Sequence, residues 1–209
     1  MTIQINGLFL GTLKPDATVA GCIDIFENVW PEPEKTIDIV EKESRVEGSN
    51  IYWERASTIG QGVHQDIRTN SHMGVSHLAN IADNGILQNI HNQFYTLLLS
   101  TTVDYANRYK IDGNLYHEGY NLLKYSGGQE YKSHYDGTSH NARTISAICY
   151  LNNDFEGGEL EFPFFKIKIK PEPGMLILFP SNYAYSHIAH PVTSGTKYAL
   201  VTWIRDRQV

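Results

Sequence analysis

The chain has 209 residues, 41% of them hydrophobic and 19% charged, with a net charge of −6 and a pI near 5.8. That length suits one domain whose core can bury most of its apolar surface. The acidic balance argues against a sequence-independent grip on nucleic acid, which rests on clustered Lys and Arg, and no stretch approaches the ~20 apolar residues of a membrane span.

The start, MTIQINGLFLGTLKPD, lacks a basic segment followed by a sustained apolar run, so no secretory signal is expected. Cys22 and Cys149 stand far apart, in neither C-x-x-C nor zinc spacing, which favours a reduced, cytoplasmic setting over a disulfide framework. From Cys22 the run CIDIFENVW alternates as a strand. Pro31 and Pro33 then open a helix to about Ser44, proline being suited to a first turn. Residues 45–84 are polar and rich in turn formers, with Trp53 and Ile59 as isolated apolar anchors. Asn84-Gly85 introduces a long helix whose Ile86, Ile90, Phe94, Leu97, Leu98 and Tyr105 recur at three- and four-residue steps, a face that should lie against a sheet. From Tyr116 the period becomes two. Leu122–Tyr125, Ile145–Leu151, Leu160–Phe162, Phe165–Lys170, Met175–Phe179 and Tyr198–Ile204 read as strands, with Pro171-Glu-Pro-Gly174 as a turn. Short strands in such close succession predict a sandwich or jelly roll.

The chemistry centres on His134-x-Asp136, with His187 as candidate partner downstream. Residues two apart on a strand share a face, so both side chains can reach one metal. Two imidazoles and a carboxylate hold one face of an octahedral iron and leave positions open, the pattern of non-haem Fe(II) oxygenases. Lys197 shares strand parity with Ala199, Val201 and Trp203. If those face the interior so does the lysine, and a buried lysine calls for an anion or a shifted pKa. A dicarboxylate would supply that anion, with Tyr150 as a hydroxyl donor to the same group and Tyr125 near the metal. His64, His72 and His77 show no recognisable metal spacing, and His91 and His117 read as structural.

From Tyr125 onward the chain resembles the prolyl 4-hydroxylase-like branch of the Fe(II)/2-oxoglutarate dioxygenases. The matching stretches are YSGGQEYKSHYDG (125–137), RTISAICYLN (143–152), EGGELEF (156–162), KPEPGMLILFPS (170–181) and HIAHPVTSGTKYALVTWIRD (187–206). The resemblance implies an α+β, mainly β fold: a double-stranded β-helix (a cupin-like jelly roll) with N-terminal helices against its major sheet. It implies one domain over 1–209, with residues 1–115 as the N-terminal strand, helix and polar-loop region and 116–207 as the catalytic core. His134, Asp136 and His187 would be the iron ligands. Lys197, ten residues past His187, would bind the distal carboxylate of 2-oxoglutarate together with Tyr150. His190 as ligand would shorten that spacing to seven. Tyr125 and Trp203 would line the pocket, Gly157-Gly158 would form a tight turn, and Arg143 and His140 are candidate substrate contacts.

The implied cosubstrates are 2-oxoglutarate and O2 on Fe(II), with ascorbate as reductant. The implied reaction is hydroxylation of a prolyl residue in a peptide or protein, coupled to decarboxylation of 2-oxoglutarate to succinate. The same chemistry on a free amino acid, another side chain or a modified nucleobase stays open. The nucleobase pattern expects an arginine pair, whereas here lysine takes the first position and Arg205 and Arg207 come late. A cupin-like metal-binding module without oxygenase activity is the remaining alternative, although cupin sites pair histidines with a glutamate. Oligomeric state is not legible.

Overall fold

A computed structural model describes residues 3–5, 8–10, 12–49, 51–56, 67–76, 85–138 and 142–206. In chain order the strands are β1 (Ile3–Ile5), β2 (Leu8–Leu10), β3 (Ala17–Val19), β4 (Ile23–Phe26), β5 (Glu54–Arg55), β6 (Ser71–Gly74), β7 (Leu115–His117), β8 (Asn121–Ser126), β9 (Tyr131–His134), β10 (Arg143–Tyr150), β11 (Glu156–Gly157), β12 (Leu160–Phe162), β13 (Ile167–Ile169), β14 (Leu176–Pro180), β15 (His187–Ala189), β16 (Val192–Ser194) and β17 (Thr196–Asp206). Helix α1 (Pro33–Glu43) follows β4 and helix α2 (Gly85–Tyr109) follows β6. The major sheet runs β3-β4-β14-β10-β17-β8-β6-β5, with β7 also on β17, and the smaller sheet runs β13-β12-β15-β9. These are the two walls of a double-stranded β-helix.

Residue parity decides what each wall buries. On β10, Ile145, Ala147 and Cys149 face the helices, while Ser146, Ile148 and Tyr150 face the smaller sheet. On β17, Leu200 and Ile204 join the helical side, and Lys197, Ala199, Val201 and Trp203 turn inward. Leu87, Ile90, Phe94, Leu98 and Tyr105 of α2 are buried at the predicted steps, with Ile86 and Leu97 on the shoulder of the stripe. Pro33 does open α1, whose Val40 is buried and whose Thr36 accepts a hydrogen bond from the Trp30 indole at 3.0 Å.

Some elements differ from the sequence reading. The strand from Cys22 is confined to Ile23–Phe26, because the chain turns at Asn28 with φ of 51°. The Phe165–Lys170 strand shortens to Ile167–Ile169, since Pro163–Phe165 coils into a 3-10 turn that Lys166 ends in the left-handed region. Within 45–84, β5 and β6 join the major sheet, β6 pairing antiparallel with β8. Ile59, His64, His77, His140 and Arg207 lie outside the described residues.

Asp24, fully buried on β4, is held by the Arg108 guanidinium, by Tyr109 Oη at 2.9 Å and by Thr18 Oγ1 at 2.7 Å. This cluster clamps the C-terminal turn of α2 to the sheet. Arg108→Ala leaves the buried carboxylate without its cation, and we expect a loss of about 3 kcal/mol. Urea unfolding should show a lower midpoint at unchanged slope. Among the described residues no helix is long and apolar enough to cross a membrane.

Candidate metal centre

His134 is the last residue of β9 and His187 the first of β15, and the two are direct register partners across an antiparallel pair. Asp136 lies just beyond the strand end rather than on it, in a bend whose intervening Tyr135 points outward. The backbone there is tethered by Gly137 N–H donating to Ser181 O at 2.7 Å. A side chain at Gly137 would strike the Arg143 carbonyl, so that position needs glycine for close approach.

The metal-ready atoms converge. His134 Nε2 is 3.6 Å from Asp136 Oδ1, and His187 Nε2 is 3.8 Å from Asp136 Oδ2. One ligand atom from each residue lies within 4.8 Å of the other two. His134 Nδ1 sits 2.7 Å from Lys132 O and His187 Nδ1 3.1 Å from Tyr185 O. A carbonyl only accepts, so both Nδ1 atoms carry the hydrogen and both Nε2 lone pairs are free to bind a metal. Burial, and then the facing His187, push His134 down to about 3, so its imidazole is neutral. Burial also works against the Asp136 carboxylate, but His187, His134 and hydrogen bonds from Ser146 and Trp203 more than offset it and keep Asp136 ionised. Two imidazoles and one carboxylate fit Fe(II) with open positions.

Ser146 Oγ donates to Asp136 Oδ2 at 2.6 Å and meets Ser181 Oγ at 2.8 Å. The sequence reading gave Ser146 no role. The signal was a small hydroxyl sharing the inward parity of Ile148 and Tyr150. Ser146→Ala should weaken metal affinity ~10- to 100-fold, the usual effect of losing a group that orients a ligand. Chelator competition would measure it, with the thermal midpoint little changed.

These residues open into a cavity that also takes in Lys197, Tyr150, Tyr125 and Trp203. Lys197 is 2% exposed, and no carboxylate pairs with it among the described residues. Its Nζ donates to Gly158 O at 2.7 Å and stands 4.5 Å from the Tyr125 ring centre. The Gly157-Gly158 turn, at φ of 74° and 70°, presents that carbonyl. Burial pushes Lys197 down to about 7, slightly countered by Glu159. Burial pushes Tyr125 up to about 12 and Tyr150 upward as well, so both hydroxyls stay protonated donors. The pocket thus holds one latent cation and two hydroxyls suited to a carboxylate.

Arg143 does not line the cavity. Its guanidinium forks onto Glu118 at 3.0 and 2.7 Å and lies 3.5 Å over the Trp203 ring, bracing that indole. Arg68 and Tyr131, which the sequence reading did not single out, do line it.

Residues 120–205 match the profile of the 2OG-Fe(II) oxygenase superfamily. That region resembles the 2OG-Fe(II) oxygenase superfamily. The family implies Fe(II), 2-oxoglutarate and O2 as its chemical requirements. Among curated proteins, the chain is similar to "Probable prolyl 4-hydroxylase 9" of Arabidopsis thaliana, 34% identical over 43% of this chain and 41% of that one. "Prolyl 4-hydroxylase 13" of the same plant is 32% identical over 49% of this chain and 47% of its own length. The chain thus spans less than half the length of these relatives. Among solved structures, a Trichoplax adhaerens prolyl hydroxylase in complex with a hypoxia inducible factor peptide fragment superposes with a TM-score of 0.73 at 18% identity, over 90% of this chain and 84% of that one. The viral collagen prolyl hydroxylase of Paramecium Bursaria Chlorella virus-1 gives 0.61 at 21% identity, over 90% and 98%. Both share the double-stranded β-helix.

Proposed function

We propose that the chain is an Fe(II)/2-oxoglutarate-dependent dioxygenase that hydroxylates a prolyl residue in a peptide or protein and converts 2-oxoglutarate to succinate and carbon dioxide. The observation that carries this reading is the convergence of His134, Asp136 and His187 in the same cavity as the buried, carboxylate-free Lys197. His134, Asp136 and His187 would hold the iron. Lys197 and Tyr150 would receive the distal carboxylate of 2-oxoglutarate, with Tyr125 beneath the lysine and Trp203 steadying Asp136. Bound iron supplies the redox centre at which 2-oxoglutarate and O2 yield the oxidant for an unactivated C–H bond. The protein's own contribution is to orient the ligands, seat the dicarboxylate and exclude water. Ascorbate would serve as reductant. The unpaired Cys22 and Cys149 support a reducing compartment.

The names of the relatives and the peptide complex of the Trichoplax enzyme support a prolyl, peptide-borne target. Residues 1–209 would act as one domain, since β3–β6 complete the major sheet from the N-terminal half. Mass spectrometry of proline-rich peptides and of cell lysate, incubated with protein, Fe(II), ascorbate and 2-oxoglutarate, tests the substrate. We expect a gain of one oxygen confined to proline. Oxygen appearing on another residue or on a nucleobase would replace the substrate assignment.

A further inference from the structure

The two imidazoles of the centre are held in different ways. His187 is 4% exposed and packs against the rings of Phe162 and Phe179 in the core between the sheets. His134 ends β9, the outermost strand of the smaller sheet, and its ring lies flat on Tyr131, with centroids 3.4 Å apart and planes 13° from parallel. With that face of Tyr131 taken at van der Waals distance, the other face and the rim are left to a cation. The Arg68 guanidinium lies 4.9 Å from the ring centre.

Arg68 is fixed in turn. Its Nε donates to Asn70 Oδ1 at 2.8 Å, and Asn70 is 1% exposed, with its amide on Ser71 O. The main chain around it runs as a short ladder along β9: Arg68 bridges Tyr131, Lys132 N–H donates to Ile67 O at 2.9 Å, and Thr69 exchanges bonds with Glu130. Lys132 is also the residue whose carbonyl orients His134 Nδ1. Both restraints on His134, the carbonyl at its Nδ1 and the ring beneath it, therefore trace to residues 67–69. Those residues lie outside the matched region 120–205.

We propose that Arg68 and Tyr131 are positioning residues that set the ring plane of His134, so that affinity for the metal is governed partly from a segment outside the oxygenase core. The proposal rests on the metal centre of the preceding section and deepens it. A neutral imidazole pinned at one nitrogen can still swing about its Cβ–Cγ bond. A flat stack capped by a cation restricts that swing, because the guanidinium is attracted to the ring face and the ring to the imidazole. The same restraint for His187 is built into buried core, so His134 is the more adjustable ligand of the pair.

Anaerobic titration of the metal-free protein with Co(II), followed by its visible d–d bands, reads both affinity and coordination geometry without turnover. We expect Arg68→Met and Tyr131→Leu each to weaken binding ~10- to 100-fold, the range for groups that orient a metal ligand, and to alter the band shape. Tyr131→Phe keeps the stack and should bind within about threefold of wild type, and Arg68→Lys, which keeps the cation, should fall between Arg68→Met and wild type. The double variant Arg68→Met/Tyr131→Leu should be no weaker than Tyr131→Leu alone, since both act through one ring. Wild-type affinity and spectrum in Arg68→Met and Tyr131→Leu would overturn the proposal. So would a loss in Tyr131→Phe equal to that in Tyr131→Leu, which would assign the effect to the hydroxyl. Should Tyr131→Leu fold poorly, the Arg68→Lys and Arg68→Met pair decides the matter. The expected graded loss of Co(II) affinity across this series, in a protein that does not turn over 2-oxoglutarate, would sink the dioxygenase reading and leave this one standing. A wild-type protein that binds no metal overturns both.

Discussion

Asp136→Ala is expected to abolish iron-dependent turnover of 2-oxoglutarate, by about three orders of magnitude or more. Asp136 is the anionic member of the donor set, and it sits 3.6 and 3.8 Å from the two Nε2 atoms. Without it a divalent cation meets two imidazoles in a cavity from which water is partly excluded. The several kcal/mol that a charged ligand contributes are then lost. The metal-free protein should lose some stability but stay folded, because the change removes one acceptor from a buried, hydrogen-bonded group. The Ser146 and Trp203 donors would be left to solvent in the open cavity. Equilibrium dialysis with Fe(II) or Co(II), beside a thermal melt, separates lost affinity from lost fold. Tight metal binding in Asp136→Ala would show that the centre lies elsewhere.

The second large effect belongs to Lys197. Lys197→Met keeps the length of the side chain and removes the amine, and we expect 2-oxoglutarate affinity to fall ~50- to 100-fold, near the 1.5–3 kcal/mol of a charge-assisted hydrogen bond. Burial holds Lys197 down at about 7 in the ligand-free protein. Below that pH the amine is already charged and 2-oxoglutarate affinity is full. Above it the free protein must take up a proton to bind, so affinity should fall towards tenfold per pH unit until the raised pKa of the complex is passed. Calorimetry at pH 8 in buffers of different ionisation enthalpy should detect that uptake in wild type and not in Lys197→Met. The stability of the ligand-free protein should move the opposite way. A lysine whose folded pKa is depressed costs stability as pH falls from its ordinary value near 10.4 towards 7, so Lys197→Met should melt higher while binding worse. A variant that binds 2-oxoglutarate as tightly as wild type would remove Lys197 from the site.

The parts of this arrangement readable from sequence are those set by strand period. Lys197 and Tyr150 turn inward because Ala199 and Ser146 share their parity, and that is a property of β-structure alone. The face of α2 was readable for the same reason at period 3.6. His134, Asp136 and His187 were legible as residue types, but their meeting depends on β9 pairing with β15, a contact that no local pattern encodes. The braces were harder to see. Arg143 facing Glu118 and Arg68 reaching Tyr131 join residues far apart in the chain, and a lone arginine in a polar stretch looks like solvated surface until the fold is known. The 45–84 region hid β5 and β6 because these strands are two and four residues long, mostly polar and at a sheet edge, where alternation is weak.

In the proposed function, one cavity holds iron and 2-oxoglutarate together for oxidative chemistry. Succinate formed by the wild-type protein from 2-oxoglutarate in air, with and without added Fe(II), tests it most directly. Succinate should form only when Fe(II) is present, with one carbon dioxide released for each succinate. Iron-loaded, folded protein that neither binds 2-oxoglutarate nor forms succinate would contradict it.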